Sequence, residues 1–123
     1  MLNGSCFCGA VSLSVEQLAR VTACHCSQCR KQTGHHWASG QAEAEGFGIQ
    51  GEVRWFEASK HAKRGFWGTC GSFLFWKGHD ETTMSFSLAA IDGLTGVRIS
   101  EHIFTVNKGD YYDIADGVPQ REQ

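Results

Sequence analysis

No apolar run in this chain approaches the roughly 18 residues that a membrane-spanning helix needs, so no bilayer span is expected. Basic charge is not in excess either: 11 Lys and Arg stand against 13 Asp and Glu, a net charge of −2. With no basic field there is nothing to hold a polyanion, and nucleic acid is not an expected partner. Thiolates bound to zinc would make the chain more negative still. Met1-Leu2-Asn3-Gly4 has no basic n-region and no apolar segment after it. A secretory signal is therefore not expected, and a cytoplasmic location is. There is a single proline against 15 glycines, a balance that favours many turns and short strands over long helices.

Against these absences stand six cysteines among 123 residues. Without a secretory signal they read as reduced thiols that bind metal or do chemistry, rather than as disulfides. Hydrophobic residues make up 41% and charged residues 20%, which is ordinary for one globular domain, here residues 1–123, with a modest core. Three of the cysteines fall in Cys24-His25-Cys26-Ser27-Gln28-Cys29. Three sulfurs so close cannot all pair with one another, but each can reach a common point. Zinc accepts four ligands in a tetrahedron, with Zn–S near 2.3 Å, so neighbouring sulfurs lie under roughly 4 Å apart. A C-x-x-C turn supplies that spacing. Cys24 adds a third sulfur if the chain there is extended, because residues i and i+2 share one face of a strand. Three thiolates leave one corner of the tetrahedron. Open, it marks a catalytic type of site; closed by a fourth protein ligand such as a histidine, it marks a structural one.

Elsewhere the pattern is mainly β. Val11, Leu13 and Val15 alternate with Ser12, Ser14 and Glu16, and Cys6 and Cys8 are expected to face one side of the same extended stretch. Val21 to Cys24 is a strand delivering the thiol claw. Ser27 is an N-cap for a short helix ending near Thr33, with Gly34 as its stop. Arg30 and Lys31 lie in that helix, near the claw. His35 and His36 are expected to point to opposite faces of a strand. Strands are also expected around Phe47–Ile49, Val53–Phe56, Phe73–Trp76, Met84–Leu88 and His102–Val106. Ser59 to Arg64, polar and basic, reads as a loop. Arg64 to Ser72 reads as a hairpin with Cys70 at its tip, and Gly117 to Gln123 as a fraying end.

Taken in order, several motifs make one composite pattern. They are Gly4-Ser5-Cys6-Phe7-Cys8-Gly9-Ala10-Val11, the run from Cys24 to Lys31 with Gly34, Arg64-Gly65-Phe66 ahead of Cys70-Gly71-Ser72, and His102-Ile103. This pattern resembles the glutathione-dependent formaldehyde-activating enzyme family, which also includes centromere protein V. The resemblance runs from Gly4 to Pro119. It implies an all-β, Mss4-like fold of several short coiled antiparallel sheets with one short helix, stabilised by zinc. It also implies two zinc sites. Cys24, Cys26 and Cys29 match the zinc linked to the active site, and Cys6, Cys8 and Cys70 match a structural zinc. The family carries a further cysteine three residues before the last one, where this chain has Trp67. An indole offers only an N–H donor and cannot ligate zinc. Either water or a histidine such as His61 or His79 completes that second site, or it is empty or weakly held, with Trp67 packed in its place.

The activity implied by the resemblance is formation of S-(hydroxymethyl)glutathione from formaldehyde and glutathione, a carbon–sulfur lyase reaction on a small thiol–aldehyde adduct. The residues suit it, because a thiolate is the nucleophile and zinc lowers the pKa of a bound thiol. His102 is a candidate proton donor or carboxylate holder, and Arg64 a candidate for an anionic substrate group. Two other classes stay open: a zinc-stabilised interaction module without chemistry, and a zinc or redox sensor built on the claw. A pocket lined by Arg64 and His102 beside the claw would favour the enzyme, and a claw closed by a fourth protein ligand would favour the module. The pattern does not fix the oligomeric state.

Overall fold

Serine alternating with Leu13 and Val15 gives a strand with one wet and one dry face, and the architecture is built by covering such faces. The computed structural model describes residues 1–123. Its strands are β1 (Leu2–Ser5), β2 (Ser12–Val15), β3 (Arg20–Cys24), β4 (Trp37–Glu43), β5 (Gly48–Gln50), β6 (Arg54–Glu57), β7 (Ala62–Phe66), β8 (Phe73–Gly78), β9 (Thr83–Ser87) and β10 (Glu101–Ile103). One α-helix, α1 (Ser27–Thr33), follows β3. The protein is thus mainly β with a single short helix, as the alternation and the family resemblance imply.

Two sheets form. One has the order β1-β2-β5; the other, of seven strands, has the order β10-β3-β4-β9-β8-β7-β6. All pairings are antiparallel except β10 with β3. The core lies between the sheets, where Val11, Leu13 and Val15 meet Leu74, Phe75, Met84 and Phe86. Gly4 of β1 forms an isolated bridge with Ile91, which follows the 3₁₀ turn after β9. A Cβ added there would lie 2.1 Å from the Ala90 carbonyl oxygen, so this contact admits only glycine. No helix is long and apolar enough to cross a membrane.

The structure corrects several local expectations. Cys6 and Cys8 lie in the turn between β1 and β2, not on a strand: Gly9, with φ 84°, donates its N–H to the Cys6 carbonyl. His35 and His36 lie between α1 and β4 rather than in a strand. Ala62 to Phe66, expected in large part as loop, is a strand paired on both edges. Its polar composition hides the fact that Arg64 points inward, 5% exposed. The last strand stops at Ile103 because Phe104 takes a left-handed conformation, φ 54°, and a 3₁₀ turn follows. The C-terminal residues do not fray. His102 donates its N–H to the Pro119 carbonyl at 2.9 Å, and Arg121 donates to the His102 carbonyl at 2.8 Å. The tail therefore runs beside β10 and satisfies an edge that would otherwise be unpaired.

Candidate metal and substrate site

β3 runs between β4 and β10, with Cys24 level with Trp37 on one side and Ile103 on the other. Beyond it, His25 donates its N–H to the Ile103 carbonyl at 3.0 Å, keeping the chain extended for one more residue. Cys24 and Cys26 thus share a face, and His25 points to the other. The helix then begins. Its N-cap is Cys26 rather than Ser27, and the Cys26 sulfur accepts the Cys29 N–H at 3.3 Å. This bond draws the third thiol in, and the Sγ atoms of Cys24, Cys26 and Cys29 all lie within 4.8 Å of one another. No imidazole or carboxylate joins them.

The three thiols share charge unequally. Hydrogen bonds from the Cys24 and Cys29 thiols, helped by the Cys29 amide and the Arg64 guanidinium, hold Cys26 down to about 2. The same contact with Cys26, then that with Cys29 and burial, drives Cys24 far up. At Cys29 a hydrogen bond from Cys24 pulls downward, but the bond to Cys26 and burial prevail and raise it to about 11. Three thiolates side by side would repel one another, and a bound cation would offset that charge. The donor set is three soft sulfurs with a backbone N–H and a guanidinium close by, which suits zinc.

Arg64 reaches the claw from β7. Its two terminal nitrogens lie 3.7 Å from the Cys29 sulfur, and one donates to Gln32 Oε1 at 3.1 Å. Its guanidinium lies 5.3 Å from the centre of the Phe73 ring. The claw and Arg64 open onto a cavity of about 650 Å³, whose walls also include Trp37, Trp76 and Asn107. Arg20 and Arg121 line it too. Both face the carboxylate of Glu101, at 2.9 and 3.6 Å, and Glu81 also lines the cavity. A second hollow, of about 300 Å³ beside Val15 to Ala19, offers no thiol, imidazole or guanidinium.

His102 does not line the larger cavity. It is buried behind the claw, in a chain of polar groups that the sequence pattern does not reveal. Tyr112 hydroxyl meets His25 Nδ1, His25 Nε2 lies 2.9 Å from His102 Nδ1, and His102 Nε2 lies 2.9 Å from Asp116 Oδ2. With Asp116 ionised, one neutral tautomer of each ring satisfies every link: His102 donates to Asp116, His25 donates to His102, and Tyr112 donates to His25. Burial, then the neighbouring His36, His102, His35 and Lys108, pushes His25 down to about 4, consistent with a neutral ring. The spacing of His25 between Cys24 and Cys26 foretells that it turns away from the claw. Its partners, 77 and 87 residues further along the chain, carry no local signal.

The other three cysteines also converge. Cys6 and Cys8 come from the β1–β2 turn and Cys70 from the β7–β8 turn, and their Sγ atoms lie within 4.8 Å of one another. His61 and His79 sit at the opposite end of the β7–β8 hairpin, linked by a backbone hydrogen bond of 2.9 Å. Neither reaches the triad.

Residues 1–107 match the family described as glutathione-dependent formaldehyde-activating enzyme. A crystal structure of a Rhodobacter sphaeroides protein is similar at 27% identity, with a TM-score of 0.62, over 78% of this chain and 90% of that one. No curated protein matches the chain.

Proposed function

Because the chain belongs to the glutathione-dependent formaldehyde-activating enzyme family, we propose that its larger cavity binds glutathione and formaldehyde and interconverts them with S-(hydroxymethyl)glutathione. This is carbon–sulfur lyase chemistry. One observation carries the reading: three convergent sulfurs with no fourth protein ligand form part of the wall of a cavity large enough for a small peptide.

In the forward direction the glutathione sulfur attacks the carbonyl carbon and a C–S bond forms. The C=O π pair moves to oxygen, which takes up a proton; nothing is oxidised or reduced. Cys24, Cys26 and Cys29 would hold zinc, which when bound favours the thiolate form of a thiol at neutral pH. Arg64 is buried and fixed by Gln32, so its charge is set beside the sulfur cluster before substrate arrives. Such a preorganised charge stabilises an anionic sulfur or the developing oxyanion at no reorganisation cost. Arg20 and Arg121, at the wall of the cavity, offer guanidinium donors to a carboxylate of glutathione. Trp37 and Trp76 supply apolar wall against the peptide backbone.

Exchange spectroscopy of the formaldehyde–glutathione equilibrium tests this. The unmodified protein should accelerate adduct formation. Cys29→Ser should abolish the acceleration and lower zinc content by about one ion per chain. Arg64→Ala should slow exchange by roughly 100-fold, the usual loss when one preorganised donor is removed. No acceleration by the parent protein, together with no glutathione binding by calorimetry, would overturn the reading in favour of a non-catalytic zinc module.

A further inference from the structure

We infer that Tyr112, His102 and Asp116 are positioning residues for the thiol claw. Tyr112 and His102 clamp the two ring nitrogens of His25, with Asp116 behind His102, and so hold the peptide between Cys24 and Cys26 with both sulfurs turned toward the cavity. This rests on the reading of the claw as a zinc site, and it is read out by zinc affinity rather than by turnover.

The peptide needs such a hold. β3 ends at Cys24 and α1 begins at Ser27, so His25 belongs to neither element. Its N–H is tied to the Ile103 carbonyl. One backbone bond fixes where a residue lies but not how the segment turns about it. Side chains alternate along an extended segment, so the direction of the His25 ring sets that of its two neighbours. Cys24 and Cys26 both line the cavity, while His25, with no exposed surface, lies behind it.

The ring is held at both nitrogens. The Tyr112 hydroxyl meets Nδ1, and Nε2 lies 2.9 Å from His102 Nδ1. His102 is itself fixed in β10, where its N–H is tied to the Pro119 carbonyl and its carbonyl to the Arg121 N–H. Its Nε2 lies 2.9 Å from Asp116 Oδ2, and the other oxygen of that carboxylate accepts the Val118 N–H at 3.0 Å. Turning the His25 ring would strand buried nitrogens on both imidazoles, which is costly. An ionised carboxylate only accepts, so the chain has one direction: His102 and His25 each carry their proton on Nε2, and Tyr112 donates to His25 Nδ1. An apolar side chain would fill the same volume. Four polar groups in one ordered chain fix an orientation, which filling does not need. Tyr112 and Asp116 lie beyond residues 1–107, the part that matches the family, so the C-terminal segment of this chain completes the clamp.

The test titrates the full chain with zinc against a chromophoric chelator, taking the ion that Cys29→Ser removes as the claw's. Contacts that orient a metal ligand without touching the metal change affinity by roughly 10–100-fold when lost. Tyr112→Phe and Asp116→Ala should therefore each weaken binding of that ion by about tenfold or more. Leu13→Ala, a truncation in the core beneath the other sheet, should lower the melting temperature at least as much and leave the affinity unchanged. In nitrogen-15 spectra of the metal-free parent, His25 and His102 should both carry the proton on Nε2 alone at neutral pH, and Tyr112→Phe should shift the His25 Nδ1 resonance. The parent spectrum decides the matter if the variants do not fold. Zinc affinity unchanged in both variants, or lowered equally by Leu13→Ala, would overturn the clamp and leave the claw as a zinc site. A His25 ring protonated on Nδ1 would do the same. A parent that holds no zinc on the claw would overturn the reading of the claw as well, and the clamp with it. Failure to accelerate the glutathione reaction touches none of these readouts.

Discussion

His36 Nδ1 is buried without a hydrogen-bond partner, in a cluster with His25, His35, His102 and Tyr112. Burial, then the charges that His35 and His102 would carry, lowers its affinity for a proton; Asp116 opposes this weakly. The folded protein therefore keeps His36 neutral, while the unfolded chain takes a proton near the ordinary value of 6.5. With more protons on the unfolded state, stability falls as pH drops below that value. His25, pushed down to about 4, acts in the same direction. Asp116 does not contribute in this window. Its carboxyl is held below the usual 3.8 mainly by His102, so its share is lost only when pH falls through that lower range. We expect His36→Gln to lose less melting temperature between pH 7 and 5.5 than the parent does. One proton fewer corresponds to at most ~1.4 kcal/mol per pH unit. Equal slopes in thermal melts across the series would contradict this account. The same cluster shows what the sequence leaves hidden at this scale. Cysteine spacing announces the claw, because its thiols are few, soft and close together in the chain; the grouping of Cys6 and Cys8 with Cys70 follows only from the family resemblance. Tyr112 and Asp116 are ordinary residues in a polar stretch, and only the pairing of β10 with β3 brings His102 to His25.

At the scale of elements, α1 has seven residues, too few for a helix to persist alone, so its ends carry much of its stability. Its N-cap is a metal-ligand candidate, the Cys26 sulfur. Its C-cap, Gly34, has φ 85° and donates its N–H to the Arg30 carbonyl at 2.8 Å. A Cβ at Gly34 would meet nothing within 4 Å, so Gly34→Ala costs only the left-handed conformation, about 1–2 kcal/mol. Urea denaturation should show that loss while zinc content stays unchanged. A variant as stable as the parent would mean that the cap does not hold the helix. Glycine after a polar, basic run made this helix end readable. β7 was not readable, because Lys63 and Arg64 disguise a strand whose inward side chain is charged. Arg64 is tolerated there because it faces sulfur, Gln32 and the Phe73 ring rather than hydrocarbon alone. The C-terminal tail leaves no sequence signal for a related reason: its pairing is made by backbone groups, which leave no side-chain pattern.

Across the whole molecule, the two thiol triads differ in how much folding each requires. The claw is contained between Cys24 and Cys29 and needs only one turn of chain. The other triad joins turns tied by a contact between residues 65 positions apart, Phe7 and Ser72. A denatured chain can thus still chelate through the claw, whereas the second triad exists only after β1, β2, β7 and β8 have assembled. Metal stabilises a fold only to the extent that it binds the native state better than the denatured one. Zinc held by the claw should therefore add little to the melting temperature. Zinc on Cys6, Cys8 and Cys70 should add most of the increment, on the order of 2.7 kcal/mol at a hundredfold excess over Kd. Gel filtration in denaturant should recover about one ion with the parent chain and none with Cys29→Ser. Retention of the ion by that variant would refute the distinction. During synthesis the consequence is an order of assembly: the claw's three thiols are together as soon as Cys29 has emerged, whereas the other triad forms only once the β8 half of the hairpin has arrived.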